Sequence, residues 1–169
     1  MKNCGKSTFS KLLASKLGLT LLSTDTELEK IHEIKTGETL TFREIFKKYG
    51  ADYFIKLETE ALIKIVVDNK REQILLDTGG GVPLQEINRK ILNQLGEIIY
   101  IRLNKEINFS RMMKHGTPAF FKYQDDPGRS FEEIWEERIP IYESITDILV
   151  DVTNETPEEI VEKYLKQNK

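Results

Sequence analysis

The segment GKSTFSKLLASKLG occupies residues 5–18 and indicates which fold the chain begins with. Its first four letters complete the pattern G-x-x-x-x-G-K-[ST], in which backbone N–H groups surround phosphates, the lysine reaches the terminal ones and the hydroxyl binds magnesium. Apolar side chains then recur at helical spacing: Phe9, Leu12, Leu13 and Leu17. Gly18 follows as a stop signal. The segment therefore predicts a helix that begins at a phosphate-binding loop, with Lys6 and Ser7 contacting the phosphates and Thr8 beside them.

The first glycine of this pattern would stand one position before Met1, so the front half of the loop is missing from the chain as written. Cys4, inside the loop, is interpreted as a tolerated small residue and not as a reactive one. We expect Met1 to be an internal methionine of a longer reading frame. Its upstream codons should supply an apolar strand and a glycine, and an in-frame stop without such a strand would contradict this expectation.

Length and composition indicate one globular domain. The chain has 169 residues, of which 39% are hydrophobic and 31% charged, and its net charge is -3. No global positive field favours nucleic acid or a membrane surface, and no apolar run reaches the roughly 20 residues that span a bilayer. One cysteine excludes an internal disulfide, and two distant histidines, His32 and His115, do not resemble a zinc site. We expect a monomeric, cytoplasmic protein.

Short apolar strands alternate with helical patterns along the whole chain. The strands are predicted at 19–23, 73–77, 97–103 and 145–152, and the helices at 24–33, 41–50, 51–70, 84–96, 105–116, 131–143 and from Pro157 onward. Two prolines, two glycines and adjacent acids break the pattern at 116–130, which predicts one mobile loop. This alternation favours an α/β fold with a parallel sheet.

Acidic and glycine residues follow two of the predicted strands, at the edge where open α/β sheets bind ligands. Asp25 comes just after the strand at 19–23, where it either contacts a ligand or caps the next helix. Asp77 ends the strand at 73–77, where it either holds magnesium or caps the following turn. Gly79, Gly80 and Gly81 follow, and they either let a ligand approach the backbone or form a tight turn.

Arg138 is unusual because it shares a helix face with apolar residues. Phe131, Ile134, Trp135 and Tyr142 lie on that face at helical spacing. A charge on an apolar face needs a partner, so Arg138 is expected to pair with a structural acid or with an anionic ligand.

Taken in order, these residues resemble the shikimate kinase family, whose members are small P-loop kinases that phosphorylate a shikimate hydroxyl with ATP and magnesium. The likeness covers nearly the whole chain. It rests on GKST (5–8), LLSTDTELE (21–29), REIFKKYGADYFIKLE (43–58), TGGG (78–81) and ERIPIYE (137–143). It implies a three-layer P-loop kinase fold, similar to nucleoside monophosphate kinases, whose first central strand is absent from this chain.

The resemblance also implies residue roles. Cys4, Gly5, Lys6, Ser7 and Thr8 would form the ATP phosphate site, and Ser7 would also contact Mg²⁺. Asp25 would contact the substrate hydroxyls as the base or orienter of the attacking oxygen. The glycines Gly79, Gly80 and Gly81 would line the substrate ring, and Arg138 would bind its carboxylate. Arg111 and Pro157 would flank adenine, and the 116–130 loop would form the lid over ATP.

Two departures from the family concern carboxylates. The family usually carries an acid where this chain has Ser23, and that acid helps to hold the magnesium shell. Asp77 stands where the family commonly has a small residue. Our hypothesis is that Asp77 takes over the metal role.

Two further departures concern arginines. A substrate-binding arginine of the family appears here as Ile55, and its lid arginine appears as Thr117. Losing one charged partner of a carboxylate typically lowers affinity about ten- to a hundredfold. Lys122, Arg129 or Lys114 then replaces the lid arginine, or the enzyme is slow.

The leading functional prediction is transfer of the γ-phosphoryl group of ATP to the 3-hydroxyl of shikimate, giving shikimate 3-phosphate. Ile55 and Thr117 leave a second reading open, in which a kinase of the same fold acts on another small polyol or acid. A third reading is a catalytically weak nucleotide-binding regulatory module. The guanine-reading pattern N-K-x-D is absent, because Ile107 follows Asn104-Lys105-Glu106, and this disfavours a GTPase.

Overall fold

The computed structural model describes residues 4–70, 72–114, 116–153 and 155–168. Seven helices and four strands lie within them, in the order α1 (Lys6–Leu17), β1 (Thr20–Ser23), α2 (Thr24–Thr36), α3 (Phe42–Asp68), β2 (Ile74–Asp77), α4 (Glu86–Leu95), β3 (Ile99–Leu103), α5 (Lys105–Met113), α6 (Pro127–Ser144), β4 (Ile148–Val152) and α7 (Pro157–Gln167). A 3₁₀ turn at Val82–Leu84 separates β2 from α4. The contacts divide the chain into two compact units, Leu13–Leu95 and Met1–Leu12 with Gly96–Lys169.

The unit Leu13–Leu95 contains β1 and β2 as a parallel pair, in a register that places Ser23 opposite Asp77. Helices α2 and α3 pack on each other around one apolar cluster, formed by Leu28, Ile31, Ile45, Leu57 and Ala61. A capping box starts α3, since Thr41 accepts from the Glu44 backbone N–H and Glu44 accepts from that of Thr41. Gly50 interrupts α3 with φ 80° and ψ 177°, a backbone conformation that favours glycine. The two helices predicted on either side of Gly50 are therefore joined across a kink.

The second unit contains β3 and β4, which also pair in parallel. The segment between α5 and α6 packs beside those helices through an aromatic cluster, whose buried members are Met112, Phe121 and Phe131. Helix α6 begins at Pro127 because Asp126 caps it by accepting from the Arg129 N–H, and proline is well suited to the first turn. The predicted loop therefore ends at Asp126 and not at residue 130.

The α/β class with parallel strands is confirmed. In the described residues the strands form two separate pairs, and the expected single domain stays a prediction. The expected first strand would precede Met1, and residues 1–3 lie outside the described part. No helix in that part is long and apolar enough to cross a membrane.

We expect Glu155 to make the stability of the protein depend on acid pH. Its carboxylate accepts from the Thr153 backbone N–H at 2.9 Å and from the Thr153 hydroxyl at 2.8 Å, and these bonds lower the pKa of Glu155 from 4.5 to about 2. A depressed carboxyl pKa stabilises the fold above the unfolded value, and this contribution is lost as the pH falls from 4.5 towards about 2. Thermal melting of Glu155→Gln should show a deficit against wild type above pH 4.5 that closes in more acid solution. A deficit that does not change with pH would contradict this.

Candidate functional site

The carboxyl ends of β1 and β2 bring three predicted site elements together. Asp25 lies in the first turn of α2, directly after β1, and Asp77 is the last residue of β2. Helix α2 has Ser23 as its N-cap residue, so Asp25 does not occupy the cap position. The glycine segment 79–81 follows β2 and leads into the 3₁₀ turn.

A buried hydrogen bond joins the two strand ends across a large sequence distance. The Gly79 N–H donates to the Thr24 hydroxyl at 2.7 Å, and Thr24 is 1% exposed. A Cβ added at Gly79 would lie 2.7 Å from Asp25 Oδ1 and 3.0 Å from Glu58 Oε1. These distances are at or below the closest that real Cβ atoms show, so only glycine fits there without a shift of the carboxylates. The glycines thus serve close approach of side chains, beyond the geometry of a turn.

Glu58 also lies beside the glycine segment, although no motif in the sequence marks it. It lies on α3 and is 3% exposed, and a Cβ at Gly81 would meet both of its carboxylate oxygens at 2.7 Å. The glycine segment is therefore enclosed by two acidic side chains, Asp25 and Glu58. A carboxylate inside the apolar half of an amphipathic helix was the signal in the sequence, because buried charges need partners.

Asp77 and Ser23 stand opposite each other at the last rung of the strand pair. Asp77 is 7% exposed, so its carboxylate is held in the fold and is not spread into solvent. The parallel register places a carboxylate and a hydroxyl side by side at the carboxyl end of the strand pair. Both are hard oxygen donors of the kind that Mg²⁺ prefers. Among the described residues, no group of three or more His, Cys, Asp or Glu could hold a metal by itself.

The predicted phosphate loop is described from Cys4 onward, and the predicted helix follows it. Gly5 adopts φ 95°, which favours glycine, and the Phe9 N–H donates to its carbonyl at 3.0 Å as α1 begins. Ser7 and Thr8 are exposed at the N-terminus of this 12-residue helix, where free N–H groups and the helix dipole favour anions. Cys4 is 3% exposed and carries a free thiol, and its interpretation as a tolerated small residue stays a prediction.

Arg138 lies on α6, as the sequence predicts. Its Nε is buried and has no hydrogen-bond partner. Its guanidinium carbon lies 5.6 Å from the centroid of the Phe120 ring, in the segment that precedes α6. Among the described residues no structural acid receives the Nε–H, and an anionic ligand as its partner stays a prediction.

Arg111 and Pro157 occupy the last turn of α5 and the first position of α7. Lys122 and Arg129 are two of the suggested replacements for a lid arginine, and both make contacts within their own segment. Both lie against the Tyr123 ring, at 4.9 and 4.2 Å from its centroid, and both approach Glu133. Lys114 is exposed just after α5.

Known proteins are similar to this chain over nearly its whole length. The family model described as shikimate kinase matches residues 2–169. The shikimate kinase of Thermodesulfovibrio yellowstonii is 35% identical over 163 residues, covering 96% of this chain and 88% of that protein. The shikimate kinase of Clostridium botulinum is 32% identical, covering 89% and 84% respectively.

Solved structures give the same family. The shikimate kinase from Acinetobacter baumannii in complex with shikimate superposes with a TM-score of 0.80 at 27% identity, covering 97% of this chain and 86% of that one. The Aquifex aeolicus shikimate kinase superposes with a TM-score of 0.75 at 28% identity, covering 99% and 90%. With a family model that spans nearly every residue and relatives above 30% identity, this chain belongs to the shikimate kinase family.

Proposed function

We propose that this chain transfers the γ-phosphoryl group of ATP to the 3-hydroxyl of shikimate. The observation that carries the proposal is the Asp25 carboxylate, held against Gly79 at the carboxyl ends of β1 and β2, in a member of this kinase family. Phosphoryl transfer needs little covalent help from a protein and depends on positioning and on charge stabilisation. A carboxylate that orients the attacking hydroxyl supplies the first of these requirements.

On the substrate side, Asp25 accepts a hydrogen bond from the hydroxyl that attacks and takes its proton as the phosphorus–oxygen bond forms. Gly79, Gly80 and Gly81 line the substrate ring, since close backbone approach is possible only without side chains. Arg138 binds the substrate carboxylate through its planar guanidinium fork.

On the nucleotide side, the N–H groups at the start of α1 bind the phosphates of ATP and Lys6 neutralises their charge. Cys4, Gly5 and Thr8 complete this loop. Arg111 and Pro157 hold the adenine ring. The segment between α5 and α6 is the lid over ATP.

Magnesium fits the oxygen donors that this chain offers. We propose that Ser7 and Asp77 hold Mg²⁺, which when bound neutralises charge on the ATP phosphates. Asp77 takes the place of an acid at Ser23, because the strand register puts the two positions on one rung. The carboxylate is thereby kept at the same edge of the strand pair on the neighbouring strand.

We expect Asp77→Asn to raise the Mg²⁺ concentration needed for half-maximal activity about tenfold, because the amide lacks the charge of the carboxylate. Asp68→Asn is the matched control, since Asp68 is exposed at the end of α3 and pairs with Lys64. Adding Ser23→Asp to Asp77→Asn should restore the Mg²⁺ response. Unchanged magnesium dependence in Asp77→Asn would contradict the metal role.

A coupled assay with shikimate and a panel of small polyols and hydroxy acids tests the function. Turnover of shikimate with a KM between about 1 μM and 1 mM is expected. Turnover of another compound alone would favour a kinase of different specificity, which Ile55 and Thr117 make chemically reasonable. Nucleotide binding without any phosphoryl transfer would favour a regulatory module. Monomeric state, cytoplasmic location and the absence of nucleic-acid partners stay predictions.

A further inference from the structure

Arg138 is charged and contacts the ring of Phe120, which belongs to an aromatic cluster. The cluster has Met112, Phe121 and Phe131 as its buried members and Phe120 and Trp135 among its partly buried ones. A guanidinium beside such a surface needs something to stabilise its charge. The ring of Phe120, with its centroid 5.6 Å from the guanidinium carbon, lies within the range of a cation–π contact.

An aromatic partner differs from an acid in one respect that matters for ligand binding. A carboxylate would occupy the N–H fork of the arginine, whereas a ring face stabilises the positive charge and leaves the N–H groups available. The buried Nε of Arg138 is without a hydrogen-bond partner. The combination of a stabilised charge and an unfilled donor describes an arginine prepared for an anion.

Phe120 is itself held in place by its neighbours. Its ring meets that of Phe121 edge to face, with centroids 5.3 Å apart and an interplanar angle of 81°. Phe121 is 3% exposed and belongs to the buried part of the cluster. Phe121 therefore anchors Phe120, and Phe120 limits the orientations that the Arg138 side chain can adopt.

We infer that Phe120 is a positioning residue that presents the Arg138 guanidinium to the carboxylate of the substrate. This inference rests on the proposed function, since it assumes that Arg138 binds that carboxylate. Phe120 makes the segment between α5 and α6 part of substrate selection, in addition to its proposed role over ATP. An arginine side chain that rotates freely loses more conformational entropy when it binds a ligand. An arginine that is already held in one orientation therefore binds more tightly.

Phe120→Leu tests the inference, because leucine keeps apolar volume and removes the ring face. Phe109→Leu is the matched control, since Phe109 is another partly buried phenylalanine of the same cluster whose ring pairs with Phe131. Phe120→Tyr keeps the ring face and should behave as wild type. The measurements are kcat and KM for shikimate and for ATP, and the binding of shikimate alone by calorimetry.

We expect Phe120→Leu to weaken shikimate binding and raise its KM about three- to tenfold, with kcat and the KM for ATP little changed. Its preference for shikimate over the neutral shikimate methyl ester should fall by the same factor, which a purely structural role would not produce. Equal losses in Phe109→Leu, or wild-type selectivity in Phe120→Leu, would overturn the inference alone. A wild-type chain that neither binds nor phosphorylates shikimate would overturn the proposed function and this inference together.

Discussion

Replacing Asp25 by asparagine is expected to lower kcat for shikimate phosphorylation by about 10²- to 10⁴-fold, the range typical of a lost general base. Asparagine keeps the shape of the side chain but cannot accept the proton of the attacking hydroxyl. Its amide group would also present N–H donors near Glu58 and Gly79 in place of an acceptor, which changes the hydrogen bonding at the closest point of the site.

Asp52→Asn is the control for this substitution, because Asp52 is an exposed acid of α3 in the same unit. Steady-state rates should be accompanied by melting temperatures, since Asp25 also stabilises the N-terminal end of α2 through the helix dipole, typically by about 0.3 to 1 kcal/mol. A rate within threefold of wild type in a folded Asp25→Asn protein would remove Asp25 from the catalytic role.

Gly81→Ala is expected to lower kcat/KM about ten- to a hundredfold. The backbone of Gly81 lies at φ -79° and ψ -30°, a conformation that any residue can adopt, so strain is not the reason. The reason is steric, since the added methyl carbon would lie 2.7 Å from both carboxylate oxygens of Glu58 and 3.1 Å from its carboxyl carbon. Either the buried Glu58 carboxylate, which is 3% exposed, or the glycine segment must then shift, and both belong to the candidate site.

Two further variants separate this explanation from a general loss of stability. Gly128→Ala adds the same methyl group near the start of α6, where its nearest neighbour is Asp126 Oδ1 at an ordinary 3.7 Å, and it should leave kcat/KM unchanged. Glu58→Asp shortens the opposing side chain, so combining it with Gly81→Ala should recover part of the lost activity. Additive effects of the two changes would show that they do not meet, contrary to the structure.

Most of the secondary structure could be predicted from local patterns. The helix that begins at Lys6, the strands that end at Ser23 and Asp77, and the cap of α7 at Thr156 are encoded by residues adjacent to them in sequence. The predicted start of a helix is less accurate where a single capping residue decides it. The Asp126 cap starts α6 inside a stretch whose prolines, glycines and acids had predicted loop as far as residue 130.

The sequence by itself determined which groups the chain places at its predicted site: a GKST segment before a helix, an acid and three glycines at strand ends, and an arginine on an apolar face. Tertiary structure decided which of these groups meet. The contact of Glu58 with Gly81, the pairing of Ser23 with Asp77 and the packing of Phe120 on Arg138 depend on strand register and helix packing. Local periodicity fixes which face a residue occupies, but only the folded chain fixes what lies opposite that face.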